Sequence, residues 1–238
     1  MAQNKSLKDV KSLYRSLNLF QFDYDFLDFG SSEGESISFA IQHLGGTRGI
    51  GIDIDPKKVI EARQRGYECI QGDFTQLVFP PDSVRFVTMN HVLEHLSCLS
   101  TVKRAIESAA RVASDFLFII GPYFDTDQFL KNCGLKFFWS DWTGHKCLIT
   151  TQQLQEILMD LGLKDYVMMV RKIVKDSSDS AIHPLNSPKD QHEYNAEVHP
   201  EKPFVIFNQP IYKEIVCYVR LRPLKNWEDI INAVEGTI

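Results

Sequence analysis

Side chains that can move a proton cluster in the segment Asn90-His91-Val92-Leu93-Glu94-His95-Leu96. A further histidine, His145, follows in a stretch rich in aromatic residues. Histidine titrates near neutral pH and suits removal of a proton from a hydroxyl group. If the segment is helical, His91 and His95 are neighbours one turn apart, with Glu94 beside them. We expect His95 or His145 to be the base and Glu94 to orient it, with a purely structural role for His95 as the alternative.

A glycine-containing turn follows the first apolar strand, in the sequence L-D-F-G-S-S-E-G-E-S of residues 27–36. Gly30 allows the chain to turn sharply, and Gly34 allows backbone to approach a ligand closely. The next apolar segment ends in Asp53, 23 residues after Gly30 (53 minus 30). An acidic residue at about that distance commonly accepts the hydroxyl groups of a ribose. The pattern therefore predicts a nucleoside-binding site.

Charge in the turn discriminates between nucleotides. The turn lacks the G-x-G-x-x-G spacing of a dinucleotide site and carries Glu33 and Glu35 where phosphates would lie. Carboxylates there would repel a pyrophosphate but tolerate a cofactor without phosphate. S-adenosylmethionine, a nucleoside with a sulfonium cation and an amino-acid tail, is such a cofactor, so we expect it. An NAD-dependent oxidoreductase is the less favoured alternative.

Four motifs together resemble class I S-adenosylmethionine-dependent methyltransferases in order and spacing. They are residues 27–34, 51–56, 72–74 and 90–96. The V-L-E-H-L sequence resembles the small-molecule branch that includes the ubiquinone-biosynthesis O-methyltransferases. The resemblance covers residues 24–120, and a weaker likeness follows at 144–154. It implies a methyltransferase that acts on a small-molecule acceptor, and we expect the methyl group to go to oxygen.

The resemblance implies that the first turn holds the methionine part of the cofactor. The residues concerned are Asp28, Gly30, Ser31, Ser32 and Gly34. Ser32 departs from the family, which usually has a glycine at that position.

The nucleoside part of the cofactor is assigned to the next two turns. The resemblance implies that Asp53 holds the ribose, with Ile54 against the adenine. Asp73 would meet the adenine amino group, and Phe74 would pack on the ring. Arg85, where the family often has aspartate, is expected at the surface.

The resemblance places Asn90 and His91 beside the sulfonium end of the cofactor. A metal is the alternative for this region, because RNA-end methyltransferases of the same fold use a related E-x-x-E-H pattern. His91 stands where that pattern has its first glutamate. A divalent cation bound by His91, Glu94, His95 and His145 is therefore the weaker interpretation, and we expect no metal.

Apolar strands alternate with helices through the first half of the chain, which is typical of a parallel sheet covered on both faces. The predicted strands are residues 24–29, 48–52, 67–71, 84–89 and 116–120, and a later pair is predicted at 165–174 and 211–221. We expect an α/β fold with a Rossmann-like, doubly wound, seven-stranded sheet, mostly parallel with an antiparallel terminal strand. The predicted helices are 6–17, 37–44, one opened by Asp55-Pro56, 101–112 and 151–161.

We expect residues 1–238 to form a single methyltransferase domain, with the cofactor-binding core at 24–120. Residues 121–150 read as an aromatic, loop-like segment that walls an acceptor pocket. Residues 175–210 hold five prolines and three histidines and are predicted to be a lid. Ordinary packing and a flexible surface insertion are the respective alternatives.

Composition excludes several classes of protein. The net charge of -5 disfavours a nucleic-acid partner, and no apolar run reaches the roughly 18 residues of a membrane span. Five scattered cysteines without a C-x-x-C pair indicate reduced thiols, so a cytoplasmic location is expected. A non-catalytic scaffold that keeps the fold is the alternative from another class. The sequence carries no signal for the acceptor's identity or the oligomeric state.

Overall fold

The computed structural model describes residues 23–235, so the predicted N-terminal helix 6–17 lies outside the described part. The strands are β1 Phe26–Phe29, β2 Gly49–Asp53, β3 Cys69–Gln71, β4 Val84–Asn90, β5 Ala113–Pro122, β6 Leu135–Phe137, β7 Tyr166–Asp176, β8 Ile182–Pro184 and β9 Ile206–Arg220. The helices are α1 Glu35–His43, α2 Pro56–Gln64, α3 Leu99–Val112, α4 Asp127–Asn132, α5 Thr151–Asp160 and α6 Trp227–Glu235, and Leu93–His95 forms a short 3-10 turn.

Seven strands form one sheet in the order β3-β2-β1-β4-β5-β9-β7. β1 pairs in parallel with β2 and with β4, and β2 pairs in parallel with β3. The strand order reverses between β1 and β4, which is where ligands bind in doubly wound sheets. The predicted fold, a mostly parallel seven-stranded sheet with an antiparallel strand, is confirmed.

Aromatic rings stack across neighbouring strands at the centre of the sheet. The ring of Phe86 lies between those of Phe26 and Phe116, with centroid distances of 4.8 and 4.7 Å. Gly49 leaves room for this stack, because a Cβ atom there would come within 2.1 Å of the Phe26 ring. Burial of such rings supplies much of the free energy that fixes the strand ends.

Local capping begins two helices at the positions that the sequence indicates. Asp55 caps α2 by accepting a hydrogen bond from the Lys57 N–H at 2.8 Å, with Pro56 at the first helical position. Thr150 and Gln153 form a reciprocal capping box at the start of α5. Each cap satisfies backbone donors that a helix leaves unpaired.

The chain forms two compact units. Among the described residues, the first comprises 23–90, 104–118 and 218–235, and the second comprises 91–103 and 119–217. The second unit has an apolar cluster of its own, formed by Leu130, Leu135, Phe137, Val174, Ala181, Ile182, Phe207 and Ile211.

The loop-like interpretation of residues 121–150 was wrong in part, because this segment contains α4 and β6. β6 pairs antiparallel with β8, which lies within the polar stretch 175–210, and all three residues of each strand are buried. Neither strand is long enough to show periodicity, and each depends on a partner about 50 residues away (184 minus 135 is 49). No helix among residues 23–235 is long and apolar enough to cross a membrane.

Candidate active site

The predicted cofactor turn combines three residues with positive φ angles: Gly30 at 75°, Ser32 at 47° and Gly34 at 92°. The Gly30 N–H donates to the carbonyl of Ile52 at 2.8 Å, so the turn lies against the end of β2. A Cβ atom at residue 34 would come within 2.3 Å of the Tyr67 ring. Glycine is therefore required at residue 34 for both conformation and space, whereas the left-handed conformation of Ser32 carries a modest strain.

Asp28 lies under this turn and is fully buried. Its Oδ1 accepts a hydrogen bond from the Thr88 hydroxyl at 2.6 Å, and its Oδ2 accepts one from the Ser36 hydroxyl. Burial raises the pKa of Asp28 to about 6, although both hydroxyl contacts lower it. Asp28 thus links β1, β4 and the start of α1, and its carboxylate is not exposed to a ligand in this structure. The sequence analysis did not identify Ser36 or Thr88, because a hydroxyl that binds a distant carboxylate has no local motif.

Asp53 stands at the carboxyl end of β2, half-buried beside the turn. Its Oδ2 accepts the Ser32 backbone N–H at 2.8 Å, and its Oδ1 accepts the Asp55 N–H at 2.9 Å. Each carboxylate oxygen has two lone pairs, so both oxygens keep capacity for a further donor. The carboxylate is therefore fixed in orientation and still able to accept hydroxyl groups.

The two residues predicted to meet the adenine are held by their own neighbours. Asp73 accepts hydrogen bonds from the Thr75 N–H and hydroxyl and from the Gln76 amide. Burial raises the pKa of Asp73, but these hydrogen bonds outweigh it and leave the pKa lowered. Phe74 is buried and stacks on Phe29 at 4.9 Å between centroids.

Three further predicted residues differ in their surroundings. Ile54 is 69% exposed, so its side chain is free for a flat apolar ligand. Ser31 is buried, with its Oγ 3.1 Å from Cys69 Sγ. Asn90 ends β4, and its Oδ1 is buried without a hydrogen-bond partner among the described residues. An unpaired buried oxygen is costly, so this atom indicates a missing donor.

The carboxylates that the sequence analysis placed against a pyrophosphate are already neutralised. Glu33 forms ion pairs with Lys58, at 2.5 Å, and with Arg65. The hydrogen bond from Lys58 is the main reason that the pKa of Glu33 is lowered. Arg65 also lies 3.2 Å from Glu35. Glu33 and Glu35 would therefore repel a phosphate-bearing cofactor less than the sequence implied. The missing G-x-G-x-x-G spacing remains as the evidence against a dinucleotide.

Arg85 is partly exposed, as expected of a surface residue, with 40% of its side chain accessible to solvent. It pairs with Asp25 at 3.0 Å and with Asp115 at 3.4 Å, and both carboxylates are largely buried. This pairing is structural, since it joins the starts of neighbouring strands at the edge opposite the turn.

The segment around His91 is not an α-helix, so the helical condition considered for His91 and His95 does not apply. His91 has a φ of 49°, and only Leu93–His95 make a 3-10 turn. The His91 N–H donates to the Ile120 carbonyl at 2.8 Å, which explains the break in the helical pattern. Burial lowers the pKa of His91, but its contact with Glu94 and the negative charges of Glu94 and Glu214 outweigh burial and leave the pKa raised.

Glu94, His95 and His145 come together in the second unit. One ligand atom from each lies within 4.8 Å of the others. The two imidazole rings meet edge to face, with centroids 4.8 Å apart. His95 Nδ1 lies 3.1 Å from the Gly144 carbonyl, and His145 Nδ1 lies 2.8 Å from the Trp139 carbonyl.

Those carbonyls decide the proton positions on both rings. A carbonyl oxygen accepts only, so each Nδ1 carries the proton and each Nε2 keeps its lone pair in the neutral form. Burial lowers the pKa of His145, which keeps that ring neutral at neutral pH. The arrangement can therefore accept a proton or bind a cation.

The same unit encloses a cavity of about 550 Å³. Three aromatic side chains, Phe138, Trp139 and Trp142, line it together with the histidine–glutamate cluster. The Phe138 ring lies 4.8 Å from Trp139 and 6.0 Å from Trp142, so the apolar wall is continuous. Lys172, Lys213 and Glu214 from β7 and β9 also line the cavity. These three were not predicted from the sequence, because charged side chains within a strand look like an ordinary solvent face.

Comparison with known proteins identifies the type of domain and the fold. Residues 27–115 match the family model described as a methyltransferase domain. No curated protein matches the sequence of the chain.

Solved structures resemble the whole fold at low sequence identity. An S-adenosylmethionine-dependent methyltransferase from Archaeoglobus fulgidus has 16% identity and a TM-score of 0.58, covering 90% of this chain and 94% of that one. The YcgJ protein from Bacillus subtilis has 17% identity and a TM-score of 0.53, covering 91% and 100%. A Thermotoga maritima methyltransferase, described as a possible histamine N-methyltransferase, has 14% identity and a TM-score of 0.52, covering 90% and 89%. At such identities the likeness establishes the fold. Together with the methyltransferase domain matched at residues 27–115, this fold supports an S-adenosylmethionine-dependent methyltransferase.

Proposed function

We propose that the protein methylates a hydroxyl oxygen of a small, uncharged, largely apolar acceptor. The observation that carries this proposal is the aromatic cavity with two oriented imidazoles in its wall. A volume of about 550 Å³ is in the range of small-molecule sites. The likeness of the V-L-E-H-L sequence to the ubiquinone-biosynthesis branch agrees with such an acceptor.

The lysines of the cavity disfavour an acceptor with a negative charge. Lys172 pairs with Glu214 at 2.7 Å, and Lys213 pairs with Asp179 at 2.8 Å. Each lysine in the described lining is thus matched by a carboxylate, so an anionic acceptor would have to break one of these pairs. Aromatic walls supply binding energy through burial of apolar surface.

Oxygen is favoured over nitrogen because a hydroxyl must lose its proton during methyl transfer. His95 or His145 would accept that proton at Nε2, since Nδ1 of each ring is held by a backbone carbonyl. Glu94 would orient the pair. A neutral amine needs no such base, so the imidazole pair would be superfluous for it.

The cofactor would be held by residues of the first unit. S-adenosylmethionine supplies an electrophilic methyl group on a good leaving group, so the chain contributes mainly alignment. Asp53 would accept the ribose hydroxyls, and exposed Ile54 would cover the adenine. The unpaired Oδ1 of Asn90 would accept a donor of the cofactor, and the ammonium of the methionine part has the right chemistry.

The remaining predicted cofactor residues would shape the binding site around the cofactor. Ser32 and Gly34 would present the turn backbone to the methionine part, with Gly30 and Ser31 shaping it. Asp28 would be a positioning residue through Ser36 and Thr88. Asp73 and Phe74 would bound the adenine pocket, and His91 would lie near the reacting end.

Residues 175–210 would cover the acceptor. Ala181, His192 and Glu193 from this stretch line the cavity, which supports a role in excluding water from the reaction. β8 anchors the stretch through its pairing with β6.

A panel of hydroxyl compounds and their matched amine analogues tests the proposal. The assay measures S-adenosylhomocysteine formed with wild-type protein and with the variants Trp142→Ala and Phe204→Ala. We expect turnover with small aromatic hydroxyl compounds, a raised KM in Trp142→Ala, and no change in Phe204→Ala, whose ring is 70% exposed outside the described cavity lining. Turnover confined to amines would overturn the oxygen assignment. Calorimetry that detects no binding of S-adenosylhomocysteine would count against the cofactor site itself.

A further inference from the structure

We propose that Glu94, His95 and His145 bind one divalent first-row transition-metal cation. The sequence pattern led us to expect no metal, because His91 replaces a glutamate of the E-x-x-E-H arrangement. The structure brings together a different set, two imidazoles and one carboxylate, whose ligand atoms all lie within 4.8 Å of one another. Ligand atoms at about 2.0–2.2 Å from one tetrahedral ion are about 3.4 Å apart, so the side chains must approach one another by up to roughly 1.5 Å to bind it.

Both imidazoles are oriented as metal ligands usually are. The carbonyls of Gly144 and Trp139 engage Nδ1 of His95 and His145, at 3.1 and 2.8 Å. Histidine ligands commonly donate their second ring N–H to a carbonyl or carboxylate, which fixes the tautomer and directs the other nitrogen at the metal. The two carbonyl groups are thus the kind of outer-shell hydrogen-bond partners that histidine ligands usually have.

The third ligand is a carboxylate that lacks a strong partner. Glu94 is only 3% exposed. Among the described residues, the basic group within 4.0 Å of it is His91 Nδ1, at 3.6 Å, which is too long for a good hydrogen bond. A buried carboxylate is costly unless it is paired or bound to a metal. A cation between Glu94 and the two histidines would compensate this charge.

Backbone hydrogen bonds hold the two contributing segments together. The Glu94 carbonyl accepts the N–H groups of Lys146 and Cys147, at 2.9 and 3.0 Å. Residues 94–95 and 145 are therefore tied by the main chain and do not rely on the ion for their proximity. A preformed site of this kind loses little conformational entropy on binding.

The donor set selects the class of cation. Two imidazoles and a carboxylate suit Zn²⁺, Co²⁺, Fe²⁺ or Mn²⁺, whereas Mg²⁺ prefers oxygen ligands and retains several waters. Three protein ligands leave a coordination position open, and the site lines the cavity. The inference deepens the proposed function. It rests on that function only for the role of the ion, which would be to lower the pKa of a coordinated hydroxyl group. With the ion bound, His95 and His145 would be ligands, and a coordinated hydroxyl with its lowered pKa would release its proton to solvent water instead of to an imidazole.

Metal uptake by the full chain tests the inference without any turnover. Chelator-treated protein is titrated with Zn²⁺ and with Co²⁺, using calorimetry and the visible absorption of bound Co²⁺. We expect one ion per chain and an absorption typical of four- or five-coordinate Co²⁺, with no comparable uptake of Mg²⁺. Absence of stoichiometric uptake of both transition metals would overturn the inference.

Variants assign the ion to this site. In Glu94→Gln, His95→Ala and His145→Ala, affinity should fall by more than the roughly 10–100-fold typical for loss of an outer-shell partner. His192→Ala is the matched control, because His192 lines the same cavity and lies outside the three-residue cluster. Equal affinity in the three ligand variants and in the control would contradict the assignment.

Two further measurements keep the result interpretable. Far-UV circular dichroism shows whether each variant is folded, and Glu94→Gln preserves side-chain size if an alanine variant fails. The thermal midpoint should rise with Zn²⁺ in the wild type and in His192→Ala, and not in the ligand variants. Binding of S-adenosylhomocysteine to the chelator-treated protein is measured in parallel. Cofactor binding without metal uptake would defeat this inference alone, whereas metal uptake without cofactor binding would defeat the proposed function.

Discussion

Ser32 donates its backbone N–H to Oδ2 of Asp53 over 2.8 Å, so the first turn of the sheet orients the carboxylate at the end of the second strand. The two residues are 21 positions apart and belong to different strand–helix connections. Because Oδ1 is held by the Asp55 N–H as well, the carboxylate has one orientation before any ligand arrives. A preoriented acceptor loses little entropy when it binds two hydroxyl groups.

Asp53→Asn should weaken S-adenosylhomocysteine binding by about 10–100-fold. The amide removes the negative charge, and hydrogen bonds to a charged acceptor contribute about 1.5–3 kcal/mol. Calorimetry of the variant measures the change. Asp55→Asn is the control, because asparagine caps a helix as well as aspartate does and should leave the affinity unchanged. Equal losses in both variants would show that the effect is one of general charge.

Gly34→Ala should destabilise the fold and lower cofactor affinity, whereas Gly45→Ala should only destabilise it. Both glycines have positive φ, which costs a side chain roughly 1–2 kcal/mol. A Cβ at residue 34 would also clash with Tyr67 at 2.3 Å, while a Cβ at residue 45 would meet nothing within 4 Å. Chemical denaturation gives the free energy of unfolding, and calorimetry gives the affinity for S-adenosylhomocysteine. Identical results for the two variants would contradict the steric argument.

The stability contributed by His183 should disappear as the pH falls. His183 is fully buried, and burial together with the charges of His199, Lys136 and Lys202 lowers its pKa to about 4, opposed only by the backbone of His192. In the unfolded chain its pKa is about 6.5. The unfolded state therefore binds more protons between these values, and the contribution present above pH about 6.5 is lost as the pH falls through about 4.

The comparison that isolates this effect uses His183→Gln, which cannot become charged. The free energy of unfolding of the wild type, relative to this variant, should fall by on the order of 3 kcal/mol between neutral pH and pH 4. Chemical denaturation at several pH values measures it. A difference that stays constant with pH would count against the buried neutral histidine. The subtraction also removes the opposite contribution of Asp28, whose raised pKa favours folding on acidification.

Cys98 should be the fastest-reacting thiol of the protein. It is exposed, and hydrogen bonds from the Ser100, Thr101 and Ser97 hydroxyls lower its pKa to about 6. By contrast, complete burial raises the pKa of Cys217 to about 12. The rate of alkylation, followed by mass spectrometry, should be half-maximal near pH 6, and Cys98→Ser should abolish the fast phase. A fast phase that persists in Cys98→Ser would assign it to another cysteine.

Interactions between residues close in sequence were predicted well. The helix cap at Asp55, the glycine turn at 30–34 and the apolar strands follow from backbone preference and hydrophobic pattern within about ten residues. Local reasoning left the conformation at His91 open, and there a hydrogen bond to the distant Ile120 carbonyl accompanies a non-helical backbone. It also gave no sign of β6 and β8, which are three residues each and stable only as a pair.

The sequence by itself determined the order of strands and helices and the chemistry available at the first turns, because these depend on neighbouring residues and on apolar periodicity. Only the tertiary structure decided which distant groups meet. His145 lies 50 positions after His95 (145 minus 95), yet their rings are in contact. That contact, like the burial of Asp28 beneath Ser36 and Thr88, arises from packing of segments whose path no local pattern encodes. The free energy of such packing is distributed over many side chains, so no short motif records it.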